Sequence, residues 1–367
     1  MSIAIRTEEL NLICAKILNA VETNGLSEIT ELVELRLKDK DFCLQVTNRE
    51  YFVRVKLATD IQEEFHATVK AETFLKLISK VTTEFVTLSI EGNSLLVAGN
   101  GKYNIPLVYE NDEVLTLPEI KLNNITNSFK IPGATLNSIY VYNSRQFAMG
   151  SAVNPIQNSY YIDDKGAITF TTGATVNKFN LPSKISLLLS PKIVKLFKLF
   201  KNDDIEFEIS QEMAVNVPQT KINFKSPDVE LTAVLAMNDS DIQKFPVQQI
   251  RDRAFSDYDN TIVINRNELL QAIDRLLVFS NNSLNKYGRF EFAADKVTIK
   301  DYSENNQESI TYVNLTTIDQ YKCILDFNDV KLVLETTKDE FVNLSFGNHQ
   351  AVVCSRENIY NIIPEIQ

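Results

Sequence analysis

Cysteine, histidine, glycine and proline are all scarce in this chain of 367 residues, and each shortage removes a class of protein. The four cysteines, Cys14, Cys43, Cys323 and Cys354, show no C-x-x-C spacing. That argues against a disulfide framework or a zinc site and predicts buried free thiols. The two histidines, His66 and His349, lie far apart. His66 follows Glu63 and Glu64 but lacks any H-E-x-x-H spacing, so it reads as part of a solvated acidic turn, and no metal ligand is assigned. Ten glycines and ten prolines, with no low-complexity tract, argue against disorder. No apolar run approaches the roughly 18 residues of a membrane span. The opening MSIAIRTEEL lacks the apolar stretch of a signal peptide and turns acidic at once. The expectation is a soluble cytoplasmic protein without a membrane partner.

Catalytic signatures are missing too. No G-x-S-x-G elbow occurs, so a Ser-His-Asp arrangement has no starting point. The stretch Gly99-Asn100-Gly101-Lys102-Tyr103 lacks G-x-x-x-x-G-K-[ST] and reads as a hairpin turn between two apolar strands. No pair of carboxylates stands out in an apolar setting as general acid and base. A non-enzymatic chain with no cofactor is expected.

What the sequence does contain is a repeated alternation of helix and sheet signals. Leu10, Ile13, Cys14, Ile17 and Leu18 fall on one face of a 3.6-residue period. The same pattern returns at Phe74, Leu77, Ile78 and Val81; at Leu136, Ile139, Tyr140 and Phe147; and at Ile193, Leu196, Phe197 and Phe200. It returns again at Leu269, Ile273, Leu276 and Leu277, and around Phe327, Val330 and Leu334. Hairpin signals lie between them at Glu91-Gly92-Asn93, Asn100-Gly101, Asp164-Lys165-Gly166 and Gly347-Asn348. An apolar residue followed by proline recurs at twice the helix period, in Leu117-Pro118, Phe245-Pro246 and Ile363-Pro364. Two superposed periods predict an α+β chain of three similar domains, 1–126, 127–252 and 253–367, each made of two helix-plus-sheet halves.

The formal net charge of −11 opposes nucleic-acid binding only if it is spread evenly. It is not. Lys76 and Lys80 lie opposite the apolar stripe of the second helix, and Arg145 opposite that of the third. Lys192, Lys195, Lys198 and Lys201 stud the fourth, and Arg275 the polar side of the fifth. Any one of these faces reads as ordinary solvated surface. Their recurrence in an acidic chain points to a shared anionic partner.

Particular segments then carry a resemblance. In the first third, TDIQEEFHATVKAETFLKLISK, VTLSIEGNSLLVAGNGKYNIPL and LTLPEI follow one another; in the second, QFAMGSAVNPIQNSYYI and MNDSDIQKFPVQQI; in the third, LLQAIDRLLVFSNNS and YNIIPEIQ. In that order they resemble the bacterial-type DNA polymerase sliding clamps (DNA polymerase III beta subunit, processivity factor), with the look of a divergent member such as a phage or mobile element carries. The MNDSDIQKFPVQQI segment is similar to the family's closing strand and Phe-Pro. The resemblance implies a head-to-tail homodimeric ring around double-stranded DNA, helices inside and sheets outside, that tethers the polymerase and is opened by a clamp loader. Basic inner faces would neutralise phosphates without reading bases. Tyr160 and Tyr161 correspond to positions that touch DNA at the ring face.

The resemblance also implies a groove between the second and third domains for short apolar peptides of the polymerase and loader. Carried over by position, its wall includes Ile162, Thr171, Thr172, Gly173, Ala174, Thr175, Val176, Pro246, Ile250, Ile362, Ile363 and Pro364. Ile, Val and Pro suit an apolar slot for aliphatic or aromatic anchors. Two departures stand out. The family's Thr-Asp-Gly-His-Arg-Leu reads Thr171-Thr172-Gly173-Ala174-Thr175-Val176 here. The tail reads Ile363-Pro364-Glu365-Ile366-Gln367 where Met-Pro with Met and Arg after it is typical, so an Arg is lost and Glu365 gained. The loss of positive charge predicts weaker binding of acidic motifs. A second reading keeps the architecture and drops DNA: a β-rich adaptor or structural protein.

Overall fold

The computed structural model describes residues 2–22, 27–148, 154–201, 203–214, 217–279, 286–316, 320–348 and 351–366. His349 and parts of the QFAMGSAVNPIQNSYYI and LLVFSNNS segments lie outside them.

Six times in succession the chain lays down a strand, a helix and a three-stranded antiparallel meander. The first half-domain is β1 (Ser2–Arg6), α1 (Thr7–Ile17), β2 (Leu32–Lys38), β3 (Asp41–Thr47) and β4 (Tyr51–Ala58). The second is β5 (Phe65–Lys70), α2 (Ala71–Ile78), β6 (Phe85–Glu91), β7 (Ser94–Ala98) and β8 (Lys102–Pro106), followed by a small hairpin of β9 (Tyr109–Glu110) and β10 (Glu113–Val114). The third is β11 (Ile125–Pro132), α3 (Gly133–Ser138), β12 (Tyr160–Asp163), β13 (Gly166–Phe170) and β14 (Ala174–Lys178). The fourth is β15 (Ser186–Leu189), α4 (Pro191–Lys195), β16 (Asp204–Ala214), β17 (Val217–Lys225) and β18 (Val229–Leu235). Two helices intervene, α5 (Asp239–Lys244) and α6 (Val247–Phe255). The fifth is β19 (Asn260–Asn265), α7 (Arg266–Leu277), β20 (Tyr287–Phe292), β21 (Lys296–Lys300) and β22 (Gln307–Asn314). The sixth is β23 (Tyr321–Asp326), α8 (Phe327–Thr336), β24 (Phe341–Phe346), β25 (Ala351–Arg356) and β26 (Ile359–Pro364).

Leading strands are exchanged in pairs. β1 joins β6 while β5 joins β2. β11 joins β16 while β15 joins β12. β19 joins β24 while β23 joins β20. Each half therefore borrows its fourth strand from its neighbour, so neither half completes a sheet alone. All pairings are antiparallel, and the predicted hairpin signals fall at the turns; at β6–β7 the turn uses Gly92 with φ +57°, a conformation that favours glycine.

Compact units form from these halves: residues 1–137 with 195–238, and residues 138–194 with 239–367. The first holds the eight-stranded sheet β11-β16-β17-β18-β4-β3-β2-β5 and the four-stranded sheet β1-β6-β7-β8; the second holds the twelve-stranded sheet β15-β12-β13-β14-β26-β25-β24-β19-β22-β21-β20-β23. The middle part of the chain thus supplies strands to both.

Apolar helix faces pack largely where the periodicity put them; Leu18, placed on the first stripe, is instead exposed at the 3-10 turn that follows α1. In α7, Leu269, Ala272, Ile273 and Leu276 are buried, and Asn265 caps the helix by accepting from the N–H groups of Asn267 and Glu268. They meet a cluster that includes Phe290, Leu344 and the stacked pair Phe292–Phe346, whose centroids are 4.1 Å apart. Each large side chain so buried contributes about 1.5–3 kcal/mol. All four cysteines are buried free thiols.

Two predicted helices are shorter than the pattern suggested. After α3 the chain opens into a π turn, Ile139–Asn143, and then a 3-10 turn, Ser144–Ala148. The cause is Asn143, which is fully buried and donates its side-chain amide to the Ala167 and Thr175 carbonyls and to Thr169 Oγ1. After α4 the chain tightens into a 3-10 turn, Leu196–Leu199. The segment MNDSDIQKFPVQQI, expected to contain a closing strand, holds α5 and the start of α6 instead; β18 has already closed the sheet. Among the described residues, no helix is long and apolar enough to cross a membrane.

Candidate functional site

In the second unit the β13–β14 turn, the last strand β26 and helix α6 enclose a cleft of about 230 Å3. Phe170, Thr171, Thr172, Gly173 and Ala174 form one wall, Ile362 and Pro364 another, and Pro246, Gln249, Ile250 and Arg253 the third. β14 and β26 run antiparallel with Ala174 opposite Ile362. Gly173 makes their approach possible: a Cβ there would stand 2.3 Å from the Ile362 carbonyl oxygen.

Helix α6 is held from both ends. Phe245, buried just before it, stacks on Tyr161 at 5.1 Å and meets the edge of Phe170 at 5.0 Å. Pro246 follows as the residue that opens the helix, where its missing N–H leaves no helical bond unmade. Arg251 grips the buried Asp163 with both guanidinium nitrogens, Nη1 to Oδ2 at 2.8 Å and Nη2 to Oδ1 at 2.6 Å. Such charge-assisted forks are among the stronger polar contacts. At the far end Phe255 meets Tyr360 edge-on at 4.8 Å, with Lys178 Nζ over its ring at 5.5 Å.

Beneath the cleft lies a buried polar network. Thr175 Oγ1 is 3.0 Å from both Gln146 Oε1 and Asn361 Oδ1, and Thr171 Oγ1 donates to the Gln146 carbonyl at 3.1 Å. This ties the 3-10 turn, β14 and β26 together, so the floor of the cleft is rigid.

Eight of the twelve predicted wall residues line the cleft: Thr171, Thr172, Gly173, Ala174, Pro246, Ile250, Ile362 and Pro364. Four do not. Thr175 and Ile363 are each next in the chain to a lining residue, and strand alternation turns them to the opposite face, Thr175 into the network and Ile363 into the core. Val176 is buried farther along β14, opposite Tyr360. Ile162 lies on β12, two strands away from β14. The structure adds Phe170, Gln249 and Arg253, which the sequence reading missed. Gln249 and Arg253 are four apart on α6 and flank Ile250, so recognising that helix would have found them.

Charge at the cleft also differs from expectation. Glu365 does not line it; Tyr321 donates its hydroxyl to Glu365 Oε1 at 2.5 Å, and burial holds that carboxyl above its usual range. The cleft's charged residue is Arg253, exposed and without an ion-pair partner among the described residues. The loss of positive charge predicted from the tail is therefore offset from α6.

The basic positions fall into three groups. Lys80, Lys192, Lys195 and Lys201 are exposed. Arg145 and Lys198 are half-buried, and burial, reinforced by Lys195, lowers the Lys198 pKa. Lys76 and Arg275 are exposed but neutralised: Lys76 pairs with Glu72 at 2.6 Å, and Arg275 forks onto Glu308 at 2.7 and 3.0 Å. Tyr160 and Tyr161 must be removed from the DNA-facing set. They are 2% and 6% exposed, committed to ring contacts with Phe147 and Phe245, and offer no surface to a phosphate backbone. Among the described residues no group of three or more His, Cys, Asp or Glu side chains could hold a metal ion.

Comparison with known proteins gives a consistent picture. Residues 1–118 match the family model of the DNA polymerase III beta subunit, N-terminal domain. The chain is 23% identical to the beta sliding clamp of Mycoplasma genitalium, over 95% of this chain and 94% of that one. Its fold matches a sliding clamp (DNA polymerase III subunit beta) from Pseudomonas aeruginosa with a TM-score of 0.84 at 15% identity, covering 100% and 99% of the two chains. The sliding clamp of Bacillus subtilis matches with a TM-score of 0.81 at 15% identity, again over 100% and 99%.

Proposed function

Because the chain matches the sliding-clamp fold throughout and its residues 1–118 match the family model of the DNA polymerase III beta subunit, N-terminal domain, we propose that it encircles duplex DNA as a head-to-tail homodimer and tethers a replicative polymerase in the cytoplasm. It does so without catalysis or a cofactor. Its three domains are 1–126, 127–252 and 253–367, a division supported by the pairwise exchange of leading strands.

One observation carries the ring. The closing strands of four meanders are joined between domains, β4 to β18 and β14 to β26. The other two closing strands are less fully paired among the described residues: β8 pairs only with β7, while β22 pairs with β19 at residues 312–314 and only with β21 at residues 307–311, which keep an open edge. Open edges invite another strand. β8 of one copy and β22 of the next would continue the sheet, and a head-to-tail contact that closes by rotation makes a ring. Exposed apolar side chains lie on both strands: Tyr103 on β8 and Val313 on β22, the latter just beyond the stretch 307–311.

Lys80, Lys192, Lys195 and Lys201, with Arg145 and Lys198, would meet phosphates without reading sequence. The overall negative charge then discourages non-specific binding elsewhere. The cleft takes the apolar anchors of polymerase and loader segments, with Ile250, Ile362, Pro246 and Pro364 as its greasy wall.

The test is topological. Loaded by a clamp loader onto nicked circular DNA, the protein should co-elute with the circle and be released when the circle is cut. An adaptor without DNA function would never be retained.

A further inference from the structure

The two sides of α6 differ in shape but share a sign of charge. On the cleft side, Arg253 is the charged residue of an otherwise neutral lining. On the other side lies a second, wider cleft of about 580 Å3, whose lining includes Lys165, Lys178, Arg251 and Asp252. Arg251 is neutralised by Asp163; the Asp252 carboxylate accepts a bond from the Gln248 amide at 2.6 Å but keeps its charge, so the two lysines leave this lining with a net positive charge of one. Lys165 and Lys178 are exposed, with Lys178 poised over the Phe255 ring. In a chain of net charge −11, a helix bordered by cations on both sides is a local reversal of sign.

We infer that the partner segment filling the apolar cleft carries acidic residues beside its apolar anchor, one carboxylate meeting Arg253 and an acidic flank crossing α6 to Lys165 and Lys178 in the second cleft. The inference rests on the cleft's being a peptide site. The reach is ordinary: a helix with its side chains is about 10–12 Å across, which three or four extended residues span at about 3.3 Å each. Rim charges of this kind contribute mainly to selectivity and rate of encounter. They also explain how the site can do without a cation in the C-terminal tail, where Glu365 is turned toward Tyr321.

The test uses two fluorescent peptides with the same Leu-Phe anchor, one flanked by aspartates and the other by the isosteric asparagines. Anisotropy titrations on the full-length protein should show the aspartate peptide binding about tenfold more tightly at low salt, with the gap closing as ionic strength rises. Arg253→Gln should remove part of the gap, and Lys165→Gln with Lys178→Gln another part, the double lysine variant binding the asparagine peptide as the unmodified protein does. Equal binding of the two peptides to the unmodified protein would overturn the inference and leave the cleft intact as a peptide site. A gap that survives in the triple variant would overturn it as well. Failure of both peptides to bind would remove the peptide reading of the cleft and this inference with it.

Discussion

Replacing Gly173 with alanine should damage the cleft far more than the addition of one methyl suggests. The new Cβ would lie 2.3 Å from the Ile362 carbonyl oxygen, with Gln146 Nε2 at 3.3 Å and Pro364 Cδ at 3.4 Å on its other sides. The clashing atom is backbone, so no rotamer relieves it. Restoring ordinary spacing means moving β26 away from β14 by about 1 Å, which breaks or stretches the flanking hydrogen bonds, each worth about 0.5–1.5 kcal/mol net. Adding the usual cost of overpacking, about 1–3 kcal/mol, gives a destabilisation on the order of 2–4 kcal/mol. For a unit of this size that is a melting-temperature drop on the order of 5–10 °C. Peptide affinity should fall at least as sharply, because Ala174, Ile362 and Pro364 all shift with the strand. Thermal melts followed by circular dichroism, with anisotropy titrations on the same samples, measure both effects. An alanine variant with unchanged melting and unchanged peptide affinity would show that the close approach of β14 and β26 does not shape the cleft.

Other perturbations probe other parts of the molecule. Tyr103→Asp combined with Val313→Lys, exposed positions on β8 and β22, should convert the dimer to monomers by analytical ultracentrifugation with little change in melting; an unaltered dimer would move the interface elsewhere. Lys192→Glu with Lys195→Glu should leave the fold intact and lower DNA affinity, the slope of log affinity against log salt falling by about 0.9 for each phosphate no longer neutralised; an unchanged slope would exclude these lysines from the DNA path. Asp329, buried in the first turn of α8, has its carboxyl pushed up to about 6 by burial and by Asp326, against the pull of Lys286. A raised folded pKa contributes stability that is present below the unfolded carboxylate range and lost as pH rises through about 6. Asp329→Asn should therefore stabilise the protein at pH 7.5, by at most about 2–3 kcal/mol, and make little difference near pH 4; equal shifts at both would refute the burial argument.

The helices are legible in the sequence because each carries a continuous apolar stripe, and the strand turns because glycine and asparagine mark them. The exceptions have physical causes. Asn143 bends α3 into a π turn by reaching into the strands, a tertiary contact that no local period reveals. Helix α5 buries no side chain at all, so it has no stripe to read. Helix α6 does have a signal, Pro246 followed by Ile250 and Ala254 at helical spacing, but Phe-Pro reads equally as the end of a strand. That ambiguity hides Gln249 and Arg253. On the strands the reverse error occurs: a contiguous run such as Gly173 to Val176 cannot all face one cleft, because alternate residues turn to opposite faces. The resemblance alone places Tyr160 and Tyr161 at the ring face, and Phe147 and Phe245 cover them through contacts distant along the chain.

Processive tethering depends above all on closure of the ring. Negative-stain imaging of the purified protein at micromolar concentration, with its mass in solution measured by sedimentation equilibrium, tests this directly. Closed rings with a central hole, at the mass of two chains, are the predicted result. Compact monomers without a hole, or open head-to-tail filaments, would contradict it.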